Sequence, residues 1–259
     1  VEPATGLPVL ALLPRIGTWK IASDARLITV EEPKSPPAEA YRGLRTAIQF
    51  MGIDNPLRVV VVTSSRPGEG KTTVTANLAM VLAQSGQKVL AVDCDLRKPR
   101  LHQFFGLAHA TGFTTALIEG PPQGALHEIA RVGRLSIMPS GVIPPDPAEL
   151  LASKRTVALF ETLVGGFDVI VVDSPPLLEV TDALVLSRLA DAVILVTSAR
   201  RGTPKSDLHR SIELLSQVGA PVIGALLNDV DSEVTSGYGY GYGADGHSSG
   251  GSTEGHRSR

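Results

Sequence analysis

Six short runs of nearly unbroken Val, Ile and Leu, at residues 59–63, 89–92, 135–138, 169–172, 193–197 and 222–227, constrain this chain more than any other feature. A strand with one wet face alternates apolar and polar residues, whereas a strand covered on both faces does not need to. Runs of this kind therefore point to a parallel sheet layered between helices. Helical spacing precedes the first run, at residues 38–51, where Tyr41, Leu44, Ile48 and Met51 fall on one face. It separates later runs at residues 72–84, 181–189 and 205–218. Strand, helix and strand in alternation imply right-handed crossovers. The expected fold is α/β: a doubly wound, mainly parallel sheet with helices on both faces. No internal repeat is visible.

The flanks differ from this core. Residues 1–37 are broken by Pro3, Pro8, Pro14, Pro33, Pro36 and Pro37 and read as an extended leader. Residues 38–230 carry the α/β pattern, and residues 231–259 form a Gly/Ser/Tyr tail without periodicity, expected to behave as flexible coil. That tail holds Tyr238, Tyr240 and Tyr242, three of the chain's 4 tyrosines, in a segment with no core to use their rings.

Composition excludes several classes. A chain of 259 residues that is 43% hydrophobic has room for one large core. A net charge of −2 argues against a general nucleic-acid surface. The single cysteine, Cys94, rules out an internal disulfide framework and a cysteine-rich metal site, and it suits a reducing compartment. No apolar run approaches the roughly 18 residues needed to span a bilayer. The chain starts at Val1 without the layout of a signal peptide, as expected of a piece excised from something longer.

The chemistry gathers at the strand ends. SSRPGEGKTT, residues 64–73, follows the first run directly and leads into a helix. Backbone N–H groups of such a loop can close around phosphate oxygens, and the helix N-terminus adds positive potential. Gly68, Glu69, Gly70 and Thr73 belong to this cradle; Lys71 would reach the β- and γ-phosphates, and the Thr72 hydroxyl would ligate Mg²⁺. The strict motif has Gly where this sequence has Ser65. VLAVDCDLRKPR places Asp93 and Asp95 at the end of a second strand, and FDVIVVDSPP places Asp173 at the end of a later one. In an open α/β sheet the ligand lies outside the carboxyl ends of the strands, so these carboxylates can converge on one metal–phosphate site. ATP hydrolysis or phosphoryl transfer is the reaction class such a site serves.

SSRPGEGKTT, VLAVDCDLRKPR and VIVVDSPP resemble the Walker A, Walker A′ and Walker B motifs of the bacterial tyrosine kinases, autokinases coupled to capsular and exopolysaccharide export. The likeness runs from EAYRGLR at residue 39 through SGVIPPDPAELLAS to GALLND, and it includes the tyrosine cluster after the last strand. Partition and cell-division ATPases of the same deviant-Walker class carry a lysine and a glycine pair where this chain has Arg66, Pro67 and Gly68. The resemblance implies that Lys71 and Thr72 hold ATP phosphate and Mg²⁺. It makes Asp93 the carboxylate nearest the incoming hydroxyl, and Asp95 and Asp173 partners of the metal. Asn228 matches a position that contacts adenine in related folds, and Arg200 lies beyond a strand end where it would flank the nucleotide. Glu39, Arg42 and Arg45 match an E-x-x-R-x-x-R helix used between subunits of a ring; read without the family, they are a solvated helix with local ion pairs.

On the same resemblance, Tyr238, Tyr240 and Tyr242 are phosphoacceptors presented to a neighbouring subunit. The GLPVLALLPRI leader looks like the segment that follows the second membrane helix in single-chain relatives. That implies a cytoplasmic portion of an inner-membrane protein, served by a transmembrane co-polymerase region in the same or a partner chain and acting on the polysaccharide export machinery. Two alternatives stay open at this point. One is a membrane-recruited ATPase that phosphorylates nothing, and the other is a nucleotide-gated scaffold with negligible turnover.

Overall fold

The computed structural model describes residues 5–17, 25–120 and 122–231. Its strands are β1 (Val9–Pro14), β2 (Val59–Ser64), β3 (Val89–Asp93), β4 (His127–Glu128), β5 (Leu135–Met138), β6 (Val169–Asp173), β7 (Ala192–Ser198) and β8 (Val222–Val230). They form one eight-stranded sheet in the order β1-β8-β7-β2-β6-β3-β5-β4. Every pairing is parallel apart from the short β4 edge against β5. From β2 the chain moves first towards β3 and β5, then returns to build β7 and β8 on the other side. The reversal falls at β2, and a crevice opens at the strand ends where such a sheet changes direction.

The apolar runs are unbroken because both faces of the sheet are buried. Along β2, Val60 and Val62 enter one core while Val59 and Val61 enter the other. β6 repeats the division, with Val169 and Val171 on the first side and Ile170 and Val172 on the second. The first core is covered by α2 (Pro36–Met51) and α3 (Lys71–Gln84). The second is covered by α7 (Lys154–Val164), α8 (Asp182–Ser187) and α9 (Lys205–Gln217). Residues 74–83 of α3 are buried all round, so this helix shows almost no polar stripe.

Four further helices, α1 (Ile28–Glu31), α4 (Leu101–Phe104), α5 (Phe113–Glu119) and α6 (Pro147–Leu151), lie with α7 outside the periodic segments read from the sequence. The buried face of α7 carries Thr156, Leu159, Phe160 and Leu163.

The expected extended leader is corrected in one respect. Val9–Pro14 is extended, but it is the outermost parallel strand, paired along β8. Leu13 and Ile16 are buried in the first core. Asn77 on α3 holds residues 26–29 in place: its Oδ1 accepts from the Thr29 N–H (3.2 Å) and hydroxyl (3.1 Å), and its Nδ2 donates to the Arg26 carbonyl (3.2 Å). A parallel edge strand takes its partner from far along the chain, so local sequence shows only that the segment is extended.

Because Leu13 is only 1% exposed, Leu13→Ala should cost about 2–4 kcal/mol in urea unfolding. A leader detached from the core would show no change in the transition.

Candidate active site

Residues 65–70 connect β2 to α3, and two glycines set the shape of this loop. Gly68 (φ 76°) and Gly70 (φ 95°) lie in the left-handed region that side chains disfavour. A side chain there would also have to push a neighbour aside. A Cβ on Gly70 would collide with the Asn228 amide, and one on Gly68 would lie 2.7 Å from the Arg201 guanidinium.

The loop is tied to the rest of the fold by polar contacts. The Ser64 hydroxyl donates to the Arg66 carbonyl at 2.8 Å, and the Arg66 N–H donates to Glu69 Oε2 at 2.7 Å. Glu69 Oε1 accepts from the Thr203 hydroxyl, and Arg66 pairs with Asp207 on α9. Ser65, where the strict motif has glycine, accepts from the Ser211 hydroxyl of α9 at 2.8 Å. Asn228 Nδ2 donates to the Glu69 carbonyl at 3.0 Å. Glu69 is 1% exposed, and burial raises its pKa.

Gly70 caps α3, so Lys71 and Thr72 stand in its first turn, where the helix N-terminus carries positive potential. Lys71 Nζ pairs with Asp95 Oδ2 at 2.7 Å. The Thr72 hydroxyl donates to Asp173 Oδ2 at 2.6 Å. Asp93 and Asp173 are register partners at the ends of β3 and β6, which sets their side chains next to one another. Both oxygens of Asp93 accept backbone N–H groups, from Asp95 at 3.2 Å and from Leu101 at 3.0 Å. Asp95 Oδ1 accepts from the Arg97 and Lys98 N–H groups at 3.3 and 3.0 Å.

Three carboxylates therefore surround one ammonium in a dry site. Burial, then the charge of Asp173, holds Asp93 well above the ordinary carboxylate range. Burial pushes Asp173 up to about 6, against the pull of Lys71. Burial would raise Asp95 too, but the Lys71 charge and hydrogen bond, with the two backbone donors, bring it below its ordinary value. Burial would lower Lys71, and the charges of Asp173 and Asp95 outweigh it.

The residues present fit a magnesium-bound nucleotide. Asp173 Oδ1 is buried with no hydrogen-bond partner among the described residues, and the site is short of positive charge. Among the described residues no group of three or more His, Cys, Asp or Glu makes a protein-only metal cage. Mg²⁺ keeps several waters and shares phosphate oxygens with one or two carboxylates. Asp173, Asp95 and the Thr72 hydroxyl are the protein groups placed to contribute.

The structure thus brings Gly68, Glu69, Gly70, Lys71, Thr72, Asp93, Asp95 and Asp173 together. The Thr73 carbonyl accepts from Asn77 Nδ2 at 3.0 Å, inside α3. Asn228 is spent on the loop backbone rather than turned towards a base. Arg200 and Arg201 are both exposed, and it is the Arg201 guanidinium that lies against Gly68.

Glu39 and Arg42 pair with one another at 2.8 Å, and Arg42 Nη2 also donates to the Pro33 carbonyl at 2.6 Å. Arg45 lies on the same helix with its Nε buried and unpartnered among the described residues. Tyr238, Tyr240 and Tyr242 lie outside the described residues. Sequence reasoning passed over Asp182, whose carboxylate holds Arg97 at 2.9 and 3.0 Å and ties the Asp95 turn to α8. It also passed over Thr203, Asp207 and Ser211, whose only signal was polarity in and ahead of the first turns of α9.

A glycine loop on a helix N-terminus, with lysine, threonine and strand-end carboxylates around it, defines a P-loop nucleotide-binding protein. A family model described as "ParA: NUBPL iron-transfer P-loop NTPase" matches residues 55–234. Tyrosine-protein kinase YwqD of Bacillus subtilis (strain 168) is 40% identical over 214 residues, covering 83% of this chain and 90% of YwqD. The kinase domain of Escherichia coli tyrosine kinase ETK superposes with a TM-score of 0.79 at 30% identity, over 92% of this chain and 96% of that one. The septum site-determining protein MinD from Pyrococcus horikoshii OT3, solved with Mg-ADP, gives a TM-score of 0.55 at 27% identity, over 70% of this chain and 76% of that one. The chain belongs to the bacterial tyrosine-protein kinases, within the ParA-like P-loop NTPases. No helix among the described residues is long and apolar enough to cross a membrane.

The raised pKa of Asp173 carries a stability consequence. Protonated, the group is comfortable in its buried site; its stabilising contribution is complete below about 3.8 and is lost as pH rises through about 6. Asp173→Asn should therefore raise the melting temperature of the nucleotide-free protein by a few degrees at pH 7.5, with the gain shrinking towards pH 5. A melting temperature that falls at pH 7.5 would contradict this account of the carboxylate cluster.

Proposed function

We propose that this chain is an ATP-dependent protein-tyrosine autokinase that phosphorylates Tyr238, Tyr240 and Tyr242 on a second copy of itself. In this reading it regulates the polymerisation and export of a capsular or extracellular polysaccharide. The observation that carries the reading is the cluster of Asp93, Asp95 and Asp173 around Lys71 at the end of the phosphate loop. Kinship with named tyrosine-protein kinases supports it.

Within the site, Lys71 leaves Asp95 to hold the terminal phosphates of ATP. Thr72 and Asp173 hold the magnesium side, with Asp95 beside them. The ion, when bound, neutralises charge developing on the transferred phosphoryl group. Asp93 receives the proton of the incoming phenol. Each of its oxygens keeps a lone pair beyond its backbone contact, and the pKa that burial raises makes it a stronger base than an ordinary carboxylate. β8 ends at Val230, on the same edge of the sheet as the phosphate loop, so the acceptor tail starts at the site's own edge.

Glu39, Arg42 and Arg45 form part of the contact between subunits in a ring. The polysaccharide co-polymerase region, on the same or a partner chain, would hold the assembly at the cytoplasmic face of the inner membrane. Tyr41 is not an acceptor in this reading, because it is 1% exposed and its hydroxyl has no hydrogen-bond partner among the described residues.

Incubation with Mg-ATP followed by intact mass and a phosphosite map is the direct test. Phosphate should appear on Tyr238, Tyr240 and Tyr242 and not on Tyr41. Lys71→Met should abolish it, and Asp93→Asn should reduce transfer by at least 100-fold, as expected for a general base, while nucleotide still binds. Phosphotyrosine persisting in both variants would refute the assignment.

A separate measurement concerns assembly. Replacing Glu39, Arg42 and Arg45 with Ala should move the sedimentation profile towards monomer and slow autophosphorylation. An unchanged size distribution would remove that helix from the interface.

A further inference from the structure

The space above Gly68 is filled by a side chain that belongs to none of the motifs. A Cβ at that glycine would lie 2.7 Å from both Cζ and Nη2 of Arg201 and 3.0 Å from its Nε, so the guanidinium rests on the phosphate loop itself. Three other cations around the loop are occupied: Arg66 by Asp207, Lys71 by Asp95 and Arg97 by Asp182. Arg201 donates its backbone N–H to the Ser198 hydroxyl at 3.2 Å, but among the described residues its guanidinium has neither a hydrogen bond nor an ion pair.

Its position is not accidental drift of a surface loop. The connection from β7 to α9 is fastened to the phosphate loop after Arg201, through Thr203 and Asp207, while Ser198 before it accepts the Arg201 N–H and donates to Asp229 on β8. Further along α9, Ser211 joins Ser65 at 2.8 Å.

We propose that Arg201 is a phosphate-binding residue of the nucleotide site, supplying a second cation beside Lys71 from the β7–α9 connection. A guanidinium presents a planar fork of donors that matches phosphate oxygens, and it cannot lose its charge at working pH. Fastening the connection in advance lowers the ordering cost of that contact. Gly68 is then required twice, for its left-handed φ and because a side chain would displace the guanidinium from the phosphates. Lys71 must give up Asp95 to bind phosphate, whereas Arg201 gives up nothing. Arg134, exposed directly before β5 at the opposite edge of the sheet, serves as the control.

The inference rests on nucleotide binding at this loop and not on tyrosine phosphorylation, and its test separates the two. A fluorescent ATP analogue bound to the full chain is displaced with ATP and, in parallel, with inorganic tripolyphosphate. Arg201→Ala should weaken displacement by both competitors roughly tenfold or more, as expected for losing charged hydrogen bonds. Arg201→Lys should recover part of the loss, and Arg134→Ala should stay within about twofold of wild type, with melting temperatures alike throughout.

Should Arg201→Ala prove unstable, Arg201→Gln keeps the side-chain length and loses the charge, and the same weakening is expected. Wild-type displacement by the Ala and Gln variants overturns the proposal. So does a loss confined to ATP with tripolyphosphate unaffected, because Arg201 would then touch the base or ribose. If even the wild type forms no phosphotyrosine, the kinase reading fails while the displacement curves still decide this one.

Discussion

The contact between Lys71 and Asp95 organises the site. An ammonium and three carboxylates are held in a place from which water is largely excluded, and a lone buried charge there would cost several kcal/mol. The lysine cannot balance all three acids. Asp93 answers by sharing its load with two backbone N–H groups and a raised pKa, and Asp173 by a pKa near 6 and an oxygen left without a donor. The ligand-free site is therefore in electrostatic debt, and a divalent cation with a polyphosphate is the chemistry that relieves it. Stability has been yielded at the functional centre, which is where folds commonly yield it.

The phosphate loop depends on the fold in a second way. Its glycines allow the backbone to turn, but its shape is held by Glu69, Ser65 and Arg66 reaching to Thr203, Ser211 and Asp207, and by Asn228 reaching in from β8. The same strand carries the chain on towards the tail, with Asp229 at the unusual φ of 56° directly after Asn228. The loop that cradles phosphate and the strand that leads to the tyrosines thus share a hydrogen bond at one residue's remove.

Much of the architecture was legible because its cause is local. The run at residues 59–63 is apolar on both faces because α2 and α3 cover one side and α7, α8 and α9 the other. The helix bounds at residues 72–84 and 205–218 fall within a residue of the observed α3 and α9. Lys71, Thr72, Asp93, Asp95 and Asp173 could be named because each follows or ends a strand, and parallel strands deliver their carboxyl ends to one edge. The leader was read as extended but not as a strand of the sheet, since the partner of Val9–Pro14 lies more than 200 residues away along the chain.

By itself the sequence determined the sheet, the phosphate loop and the acids at its rim, because periodicity, glycine and strand-end position are properties of short segments. Tertiary structure alone decided which partner each polar group meets. It set Asn228 on the loop backbone, joined Asp182 to Arg97, buried Tyr41 out of reach, and laid Arg201 rather than Arg200 against Gly68. These outcomes turn on ångström-scale distances between segments far apart in the chain. A single residue's step along a loop changes which side chain meets the phosphate loop, and no local pattern records that step.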